Sequence, residues 1–226
     1  MSETDSFIEE VSDEVRRDKL FALYRKYGWI AGVIVVLVVG AASYNEWRKH
    51  TEIQAAQGFG DAIMTALTAE DVAKRSDAIA LVAAPTSETQ AFLDLLQAAA
   101  KTEASDRDGA LALLDGLAAN PDAPQTYRSL AELKAVMLRG ASQDRTARLS
   151  VLDKLATPGN PFRALAMEQK ALALYEFGET DAALGLLLAI LEEPEVSQGL
   201  LERSQQLIVA LGGTVPQSPT VDPTNG

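Results

Sequence analysis

An uncharged stretch near the N-terminus constrains this chain more than any other feature. Residues 27–44 read YGWIAGVIVVLVVGAASY and carry no charge. As a helix they extend about 27 Å, at ~1.5 Å per residue, which is close to the thickness of the hydrocarbon core of a bilayer. Their β-branched apolar side chains surround the helix on every side, unlike the one-sided stripe of a buried amphipathic helix. The stretch therefore predicts a transmembrane helix over residues 27–46.

A cleaved signal peptide is the competing interpretation of the same stretch. Gly40, Ala41 and Ala42 form a small-residue site of the kind that is cleaved after export. The leader would be about 42 residues long and would begin with an acidic region, whereas signal peptides are shorter and begin with positive charge. A retained membrane anchor is therefore the favoured interpretation.

The charges that flank the stretch predict its orientation. Two basic residues, Arg48 and Lys49, follow it closely. Five basic residues precede it: Arg16, Arg17, Lys19, Arg25 and Lys26. Positive charge is retained in the cytoplasm, so the N-terminus is predicted to be cytoplasmic and the rest of the chain to lie across the membrane. Three aromatic residues lie near the two predicted interfaces: Trp29, Tyr44 and Trp47.

Residues 1–26 predict a short helix that leads into the membrane. Ser6 and Glu9 have the spacing of a capping box, in which the two side chains satisfy backbone donors reciprocally. Four apolar residues then share one helical face: Phe7, Ile8, Val11 and Val15. The favoured interpretation is a segment that fixes topology, because a small amphipathic face beside a membrane can rest in the interface. A docking helix for a partner is the alternative.

Residues 51–226 contain 24 acidic and 13 basic residues, a net charge of −11. Such an acidic segment repels phosphate backbones, so nucleic-acid binding is not expected. The chain has no cysteine, so the segment is expected to hold together by packing alone, and about 160 residues can bury an adequate core. Residues 214–226, which are rich in proline and have little to bury, predict a disordered tail.

Apolar residues beyond position 51 recur at helical spacing, and strand signals are scarce, so the fold is predicted to be all-α. Juxtamembrane helices are expected over residues 47–84. Further on, Ser87 with Gln90 is predicted to cap the start of one helix, Asn160 and Thr180 are predicted to be the N-caps of two others, and prolines and glycines mark helix ends. The predicted helices there cover residues 87–99, 106–119, 127–138, 143–155, 160–177, 180–191 and 197–211.

The turns inside successive helix pairs fall near Ser105, Gly140 and Gly178, at spacings of 35 and 38 residues. These spacings are close to the 34-residue period of tetratricopeptide repeats. The third pair, MEQKALALYEFGETDAALGLLLAILEEP, has small residues at Ala171 and Ala183, where two helices of a repeat approach each other. We therefore expect a solenoid of about three helix pairs and a C-terminal capping helix over residues 85–213, with a generic helical bundle as the alternative.

A family resemblance follows from three stretches: DSFIEEVSDEVRRDKLFALYRKYGW, YNEWRKH and PGNPFRALAMEQKALAL. With one membrane helix and degenerate repeats, the chain resembles the membrane-anchored tetratricopeptide family of Gram-negative bacteria that includes the YfgM-type ancillary subunit of the SecYEG translocon. The resemblance covers residues 6 to about 211. It implies a repeat domain in the periplasm that works with translocon subunits and periplasmic chaperones on emerging polypeptides, and it carries over no catalytic motif.

Enzymatic chemistry finds little support in the sequence. The chain has a single histidine, His50, in a basic juxtamembrane stretch with no sign of a catalytic partner. Metal sites of histidine and cysteine are excluded by the count of these residues. Gly212-Gly213 is interpreted as a helix stop, and Gly58 with Gly60 lacks the strand that precedes a phosphate-binding loop. No enzyme activity and no cofactor are expected.

Binding is expected on the face formed by the first helix of each pair. The residues placed there by the turn positions are Phe92, Leu95, Thr102, Tyr127, Leu130, Lys134, Met137, Leu165, Glu168, Leu172 and Tyr175. Tyr127, Lys134, Glu168 and Tyr175 are favoured because they are the least costly to expose. The alternative for Phe92, Leu130 and Met137 is a place in the core.

Two glycines, Gly28 and Gly32, have the spacing that lets membrane helices approach closely, so they are a candidate packing face. Chance is an equal explanation of this spacing.

The sequence thus predicts a single-pass protein of the bacterial inner membrane that acts as a periplasmic scaffold for proteins. Its expected partners are translocon subunits, periplasmic chaperones and unfolded clients. The alternative is a structural subunit of another inner-membrane complex.

Overall fold

The computed structural model of the protein describes residues 3–216, with the side chains at 3–24, 26–28, 31 and 35 left aside. The described chain is helical and contains no strand, which confirms the all-α prediction. The α-helices are α1 (Glu3–Leu67), α2 (Val72–Ala80), α3 (Ser87–Glu103), α4 (Arg107–Ala119), α5 (Gln125–Arg139), α6 (Arg145–Leu155), α7 (Arg163–Glu176), α8 (Thr180–Glu192) and α9 (Gln198–Ala210). A short 3₁₀-helix, Gly140–Ser142, lies between α5 and α6.

The chain forms two compact units, Met1–Asp61 and Ala62–Gly226. The first unit belongs to α1, and the predicted boundaries at residues 26 and 46 both fall inside this one helix. Large apolar side chains of α1 are exposed, among them Trp29, Val36 and Leu37. In the part of the chain that the structure describes, no helix combines the length and the hydropathy that a membrane span requires. The predicted span of residues 27–46 therefore stays a prediction.

Several sequence predictions concern residues or side chains outside the described part of the structure. These are the capping box of Ser6 and Glu9, the apolar face that begins at Phe7, the surroundings of Gly28, and residues 217–226 of the predicted tail. Gly32 is described, and a Cβ atom added there would meet nothing within 4 Å.

In the second unit each helix from α2 onward packs against the next helix in the chain. Three apolar clusters result, and a single helix joins each cluster to its neighbour. Helix α5 contributes Ala131 and Ala135 to a cluster with α3 and α4, and Leu133 and Val136 to a cluster with α6 and α7. This succession of shared clusters is the packing of a solenoid, in which each repeat contacts its neighbours.

Helix α7 repeats this arrangement one step further along the unit. Ala166 and Ala173 of α7 face α5 and α6, whereas Met167, Ala171 and Leu174 join the cluster with α8 and α9. The buried residues of α5 and α7 therefore have corresponding positions, 38 residues apart: Ser129, Leu133 and Val136 match Met167, Ala171 and Leu174.

The three predicted turn residues all have positive φ angles. The φ angles are +63° at Ser105, +49° at Gly140 and +82° at Gly178, in the left-handed region that glycine adopts most easily. This places the turns of the first helices 35 and 38 residues apart, as the sequence predicts.

The second helix of each pair follows a different spacing. The N-cap residues Asp106, Asp144 and Glu179 lie 38 and 35 residues apart. The three additional residues in the middle repeat are Ala141, Ser142 and Gln143, which follow the turn residue Gly140 in and directly after the 3₁₀-helix between α5 and α6. Both halves of the repeat therefore keep a constant register, and the insertion is absorbed at one turn.

The aligned second helices bury equivalent residues, with one exception. Segments 106–118 and 144–156 read DRDGALALLDGLA and DRTARLSVLDKLA. Ala110 and Ala183 are fully buried where two helices approach closely, but Arg148 occupies the same position in α6. Its side chain is buried and forms an ion pair with Glu176 of α7.

Three of the predicted helix starts differ in detail from the structure. Thr86 and Thr89 form the capping box of α3, one residue before the predicted Ser87 and Gln90. Asn160 accepts a hydrogen bond from the amide of Phe162, but the regular helix begins only at Arg163. Thr180 is the first residue of α8 rather than its N-cap.

Helix α9 closes the second unit. Leu200, Ser204 and Ile208 are buried on its inner face. Its outward positions are polar at Glu202, Gln205 and Gln206, and Val209 is the large apolar residue exposed among them. A polar outer face is typical of the terminal helix that caps a repeat array.

We expect the Leu187→Ala variant to lose about 2–5 kcal/mol of unfolding free energy. Leu187 of α8 is fully buried in the cluster that α8 forms with α7 and α9, so its truncation leaves a cavity. Denaturant unfolding of the full chain in detergent micelles measures the loss. Leu81→Ala is the matched control, since Leu81 is 86% exposed, and its effect should stay within about 0.5 kcal/mol. Equal losses in the two variants would contradict the described core.

Candidate functional site

The candidate site is a groove between α3 and α5, with a volume of about 310 Å³. We call it the α3–α5 groove. Its lining residues are Leu95, Ala98, Ala99, Thr102, Leu114, Lys134, Met137 and Leu138. Small side chains at Ala98 and Ala99 leave room on the α3 side, and Leu114 reaches the groove from α4. The lining is apolar apart from the hydroxyl of Thr102 and the ammonium of Lys134.

The capping of α4 fixes the end of α3 beside this groove. Asp106 accepts hydrogen bonds from the ammonium of Lys101 at 2.7 Å and from the amide of Gly109 at 3.0 Å. These two donors hold the pKa of Asp106 below its ordinary value. The hydroxyl of Thr102 donates to the carbonyl of Ala98 at 2.8 Å, so its proton is used within α3.

Lys134 differs from most basic residues of the second unit. Residues 62–216 contain 13 lysines and arginines, and nine of them form ion pairs with carboxylates. Lys134 is exposed and has no hydrogen-bond or ion-pair partner among the described residues. The corresponding positions in the other first helices, Ala99 and Leu172, are apolar.

The acidic side chains of α3 and α5 are mostly engaged away from this ammonium. Glu103 pairs with Arg75 of α2, Glu132 pairs with Lys154 of α6, and Asp94 accepts from Gln90. No acidic side chain is among the described residues that line the groove. The groove is therefore an apolar surface with one free positive charge, in a unit whose net charge is negative.

The structure brings together four of the residues that the sequence places on the binding face: Leu95, Thr102, Lys134 and Met137. The binding face predicted from the sequence does not include the other lining residues, Ala98, Ala99, Leu114 and Leu138. Ala98, Ala99 and Leu138 lie three or four residues from the named ones on the same helices, so helical periodicity contains the signal for them. Leu114 comes from a second helix and has no such signal.

The remaining predicted binding residues lie on the first helices α3, α5 and α7, outside the groove. Phe92 and Tyr175 are exposed on α3 and α7. Leu165 is also exposed, whereas Leu130 is half-buried. Tyr127 is half-buried against the α3–α4–α5 cluster.

The favoured placement of Glu168 as an exposed residue is wrong. Glu168 is only 4% exposed, and both of its carboxylate oxygens accept hydrogen bonds from Arg203 of α9 at 3.0 Å. These bonds stabilise the guanidinium and raise the pKa of Arg203. The sequence places Glu168 correctly on a face of α7, but α9 covers that part of the face, and a single-helix pattern does not contain this contact.

A second depression, with a volume of about 380 Å³, lies between the loops that follow α6 and α8. Its charged residues largely satisfy one another. Arg163 donates from two nitrogens to Glu193, at 3.0 and 2.8 Å, and this pairing lowers the pKa of Glu193. Glu195 also lines the depression and has no partner among the described residues, so the charge left there is negative, opposite to that of Lys134.

His50 is exposed on α1, and its Nε2 lies 3.4 Å from the side-chain nitrogen of Gln54. Among the residues that the structure describes, no group of three or more histidines and carboxylates is arranged to hold a metal ion.

A family model described as a tetratricopeptide repeat-like domain matches residues 22–185, so the chain belongs to this family. The match begins within α1 and ends within α8. Searches of curated proteins and of solved structures gave no match. Repeat domains of this kind bind other proteins along their stacked helices, so the domain indicates a protein–protein interaction module.

We expect the Arg203→Met variant to lose about 1–3 kcal/mol of unfolding free energy, because it leaves the carboxylate of Glu168 buried without its partner. Denaturant unfolding of the full chain measures the effect.

The control is a double-mutant cycle with Glu168→Gln, which removes the buried charge. The double variant should lose at least about 0.5 kcal/mol less than the sum of the two single variants. Strictly additive losses would show that the two side chains do not interact.

Proposed function

We propose that this protein is a membrane-tethered scaffold that binds polypeptide segments in the α3–α5 groove, on the periplasmic side of a bacterial inner membrane. The observation that carries this proposal is the groove itself, because it combines an apolar lining with an exposed, unpartnered lysine. Extended segments bind such surfaces through apolar side chains that fill the groove and through a few polar contacts that fix their register.

The first helices of the repeats support the same assignment. Their outward positions hold exposed apolar residues at Phe92, Met137, Leu165 and Tyr175. Isolated exposed apolar residues are common on proteins, but here Phe92 and Leu165 occupy one repeat position, and Met137 and Tyr175 occupy another. A repeated apolar face is suited to a chain that lies across several repeats.

The membrane part of the proposal rests on residues 27–44 and on the charges around them. The stretch is uncharged, and its described apolar side chains are exposed, including Ile34, Val36 and Val39. A helix surrounded by apolar side chains is stable where the surroundings are also apolar. The excess of basic residues before the stretch favours a cytoplasmic N-terminus.

Translocon subunits, periplasmic chaperones and chains that emerge from the translocon are the partners we propose. This part of the proposal is supported by the resemblance in residues 6–211 to the YfgM-type family. A repeat module held at the exit side of a membrane would meet unfolded segments before they fold. The alternative, a structural subunit of another inner-membrane complex, is retained because the membrane helix offers a second surface for assembly at Gly28 and Gly32.

We expect a photoreactive benzoyl-phenylalanine at position 137 to crosslink translocon subunits, chaperones or exported chains in native membranes. Met137 lines the groove and is 52% exposed, so an occupant would lie within reach of the probe. Filling the groove in the same chain with Ala99→Trp should reduce the adducts several-fold. The adducts are identified by mass spectrometry of the full-length chain.

Position 209 provides the matched control for this crosslinking. Val209 is 63% exposed on the outer face of α9, away from the lining residues of the groove. Equal adducts from positions 137 and 209 would contradict binding in the groove. Adducts restricted to subunits of another membrane complex would favour the alternative function.

Single-cysteine labelling tests the orientation without background, because the chain has no cysteine of its own. In cells with a permeabilised outer membrane, a membrane-impermeant maleimide should label a Leu81→Cys variant and not a Ser12→Cys variant. Leu81 is suitable because it is 86% exposed. After lysis both variants should react. Labelling of only the Ser12→Cys variant in intact spheroplasts would show the opposite orientation. Protection of both variants would show that both positions lie on the cytoplasmic side.

A further inference from the structure

We propose that the α3–α5 groove selects segments that carry a carboxylate, and that Lys134 is the residue that recognises it. This inference rests on the proposed function, because it concerns the chemistry of a segment bound in the same groove. The occupant is an extended polypeptide with apolar side chains and an aspartate, a glutamate or a chain-terminal carboxylate among them.

The charge balance of the second unit is the first argument. Nine of its 13 basic residues are neutralised by carboxylates of the same chain. Arg107 and Arg128 donate to backbone or side-chain oxygens. Only Lys74 and Lys134 lack a hydrogen-bond or ion-pair partner among residues 62–216, and only Lys134 lies in the groove.

The position of Lys134 in the repeat is the second argument. The corresponding residues of α3 and α7, Ala99 and Leu172, are apolar, so packing within the repeat does not require a charge there. The neighbouring carboxylates of α3 and α5 at Glu103 and Glu132 are held by Arg75 and Lys154. The ammonium therefore lines the groove without a carboxylate partner among the described residues.

The surroundings of Lys134 explain why its single charge would favour segments with a carboxylate over neutral segments. The acidic unit as a whole repels anionic segments at long range, so a carboxylate gains from binding only where a positive charge is close. The apolar walls at Leu95 and Met137 partly exclude water from the groove, which strengthens an ion pair relative to one on an open surface. Apolar contacts thus supply affinity, and the lysine supplies the preference for a negative residue.

The inference is tested with three fluorescein-labelled peptides of eleven residues in which leucine alternates with serine. Both termini are blocked, and the central residue is glutamate, glutamine or lysine. Fluorescence anisotropy measures their binding to the full chain in nanodiscs of neutral phosphatidylcholine, with empty nanodiscs as the blank. We expect the glutamate peptide to bind about three- to tenfold more tightly than the glutamine peptide, and the difference to shrink with added salt.

Variants assign this preference to Lys134. Lys134→Met keeps the apolar stem and should remove the difference between the glutamate and glutamine peptides, whereas Lys134→Glu should favour the lysine peptide. Lys74→Met is the matched control, because Lys74 is also exposed and unpaired among the described residues but lies on α2; it should leave the preference unchanged.

The outcomes separate this inference from the proposed function. Equal, measurable binding of the glutamate and glutamine peptides by the unaltered chain would overturn the role of Lys134 and leave binding in the groove intact. A preference that persists in Lys134→Met would also overturn it. The absence of binding by any of the three peptides would overturn both this inference and the proposed groove function.

Discussion

The close approach of antiparallel helices at buried alanines is the contact on which the second unit depends. Ala98 and Ala171 occupy it on first helices, and Ala110 and Ala183 occupy it on second helices, all almost completely buried. Alanine loses no side-chain entropy on folding and lets two helix backbones approach closely, so the larger residues around it can form a continuous apolar cluster. Because α5 and α7 each belong to two of the apolar clusters, the repeats are held in sequence, and α5 shares one cluster with α3. The groove is a consequence of this spacing.

Electrostatics adds a second layer to that packing. Most ion pairs of the second unit join residues of different helices, as in the pairs of Arg75 with Glu103, Arg148 with Glu176 and Arg203 with Glu168. Pairs in which both side chains are exposed contribute little each, but together the ion pairs occupy nine of the 13 basic residues of an acidic unit. Such a surface repels most anionic partners, and the ammonium of Lys134 in the groove differs from the other groups because no carboxylate among the described residues pairs with it.

The sequence predicts the helices, the turns at Ser105, Gly140 and Gly178, and the face that carries Leu95, Lys134 and Met137. These features depend on local rules, namely apolar periodicity and the backbone freedom of turn residues, which a single stretch of sequence contains. The burial of Glu168 was not predictable in this way, because it results from contact with Arg203, 35 residues further along the chain. Leu114 in the groove and Arg148 at an alanine position likewise depend on which helices meet.

The 3₁₀-helix at Gly140–Ser142 shows how this array tolerates a change of length. Three additional residues, Ala141 to Gln143, lengthen one repeat at this turn, yet the buried positions of α5 and α7, and those of α4, α6 and α8, remain in phase. Arg107 of the preceding repeat holds the inserted turn by donating to the carbonyl of Arg139 and the hydroxyl of Ser142. Turns between paired helices are therefore places where the chain can gain or lose residues while the helices that form the groove keep their alignment. In such an array the loops can diverge quickly and the binding face can remain the same, so the length of a repeat is a poor guide to whether its surface has changed.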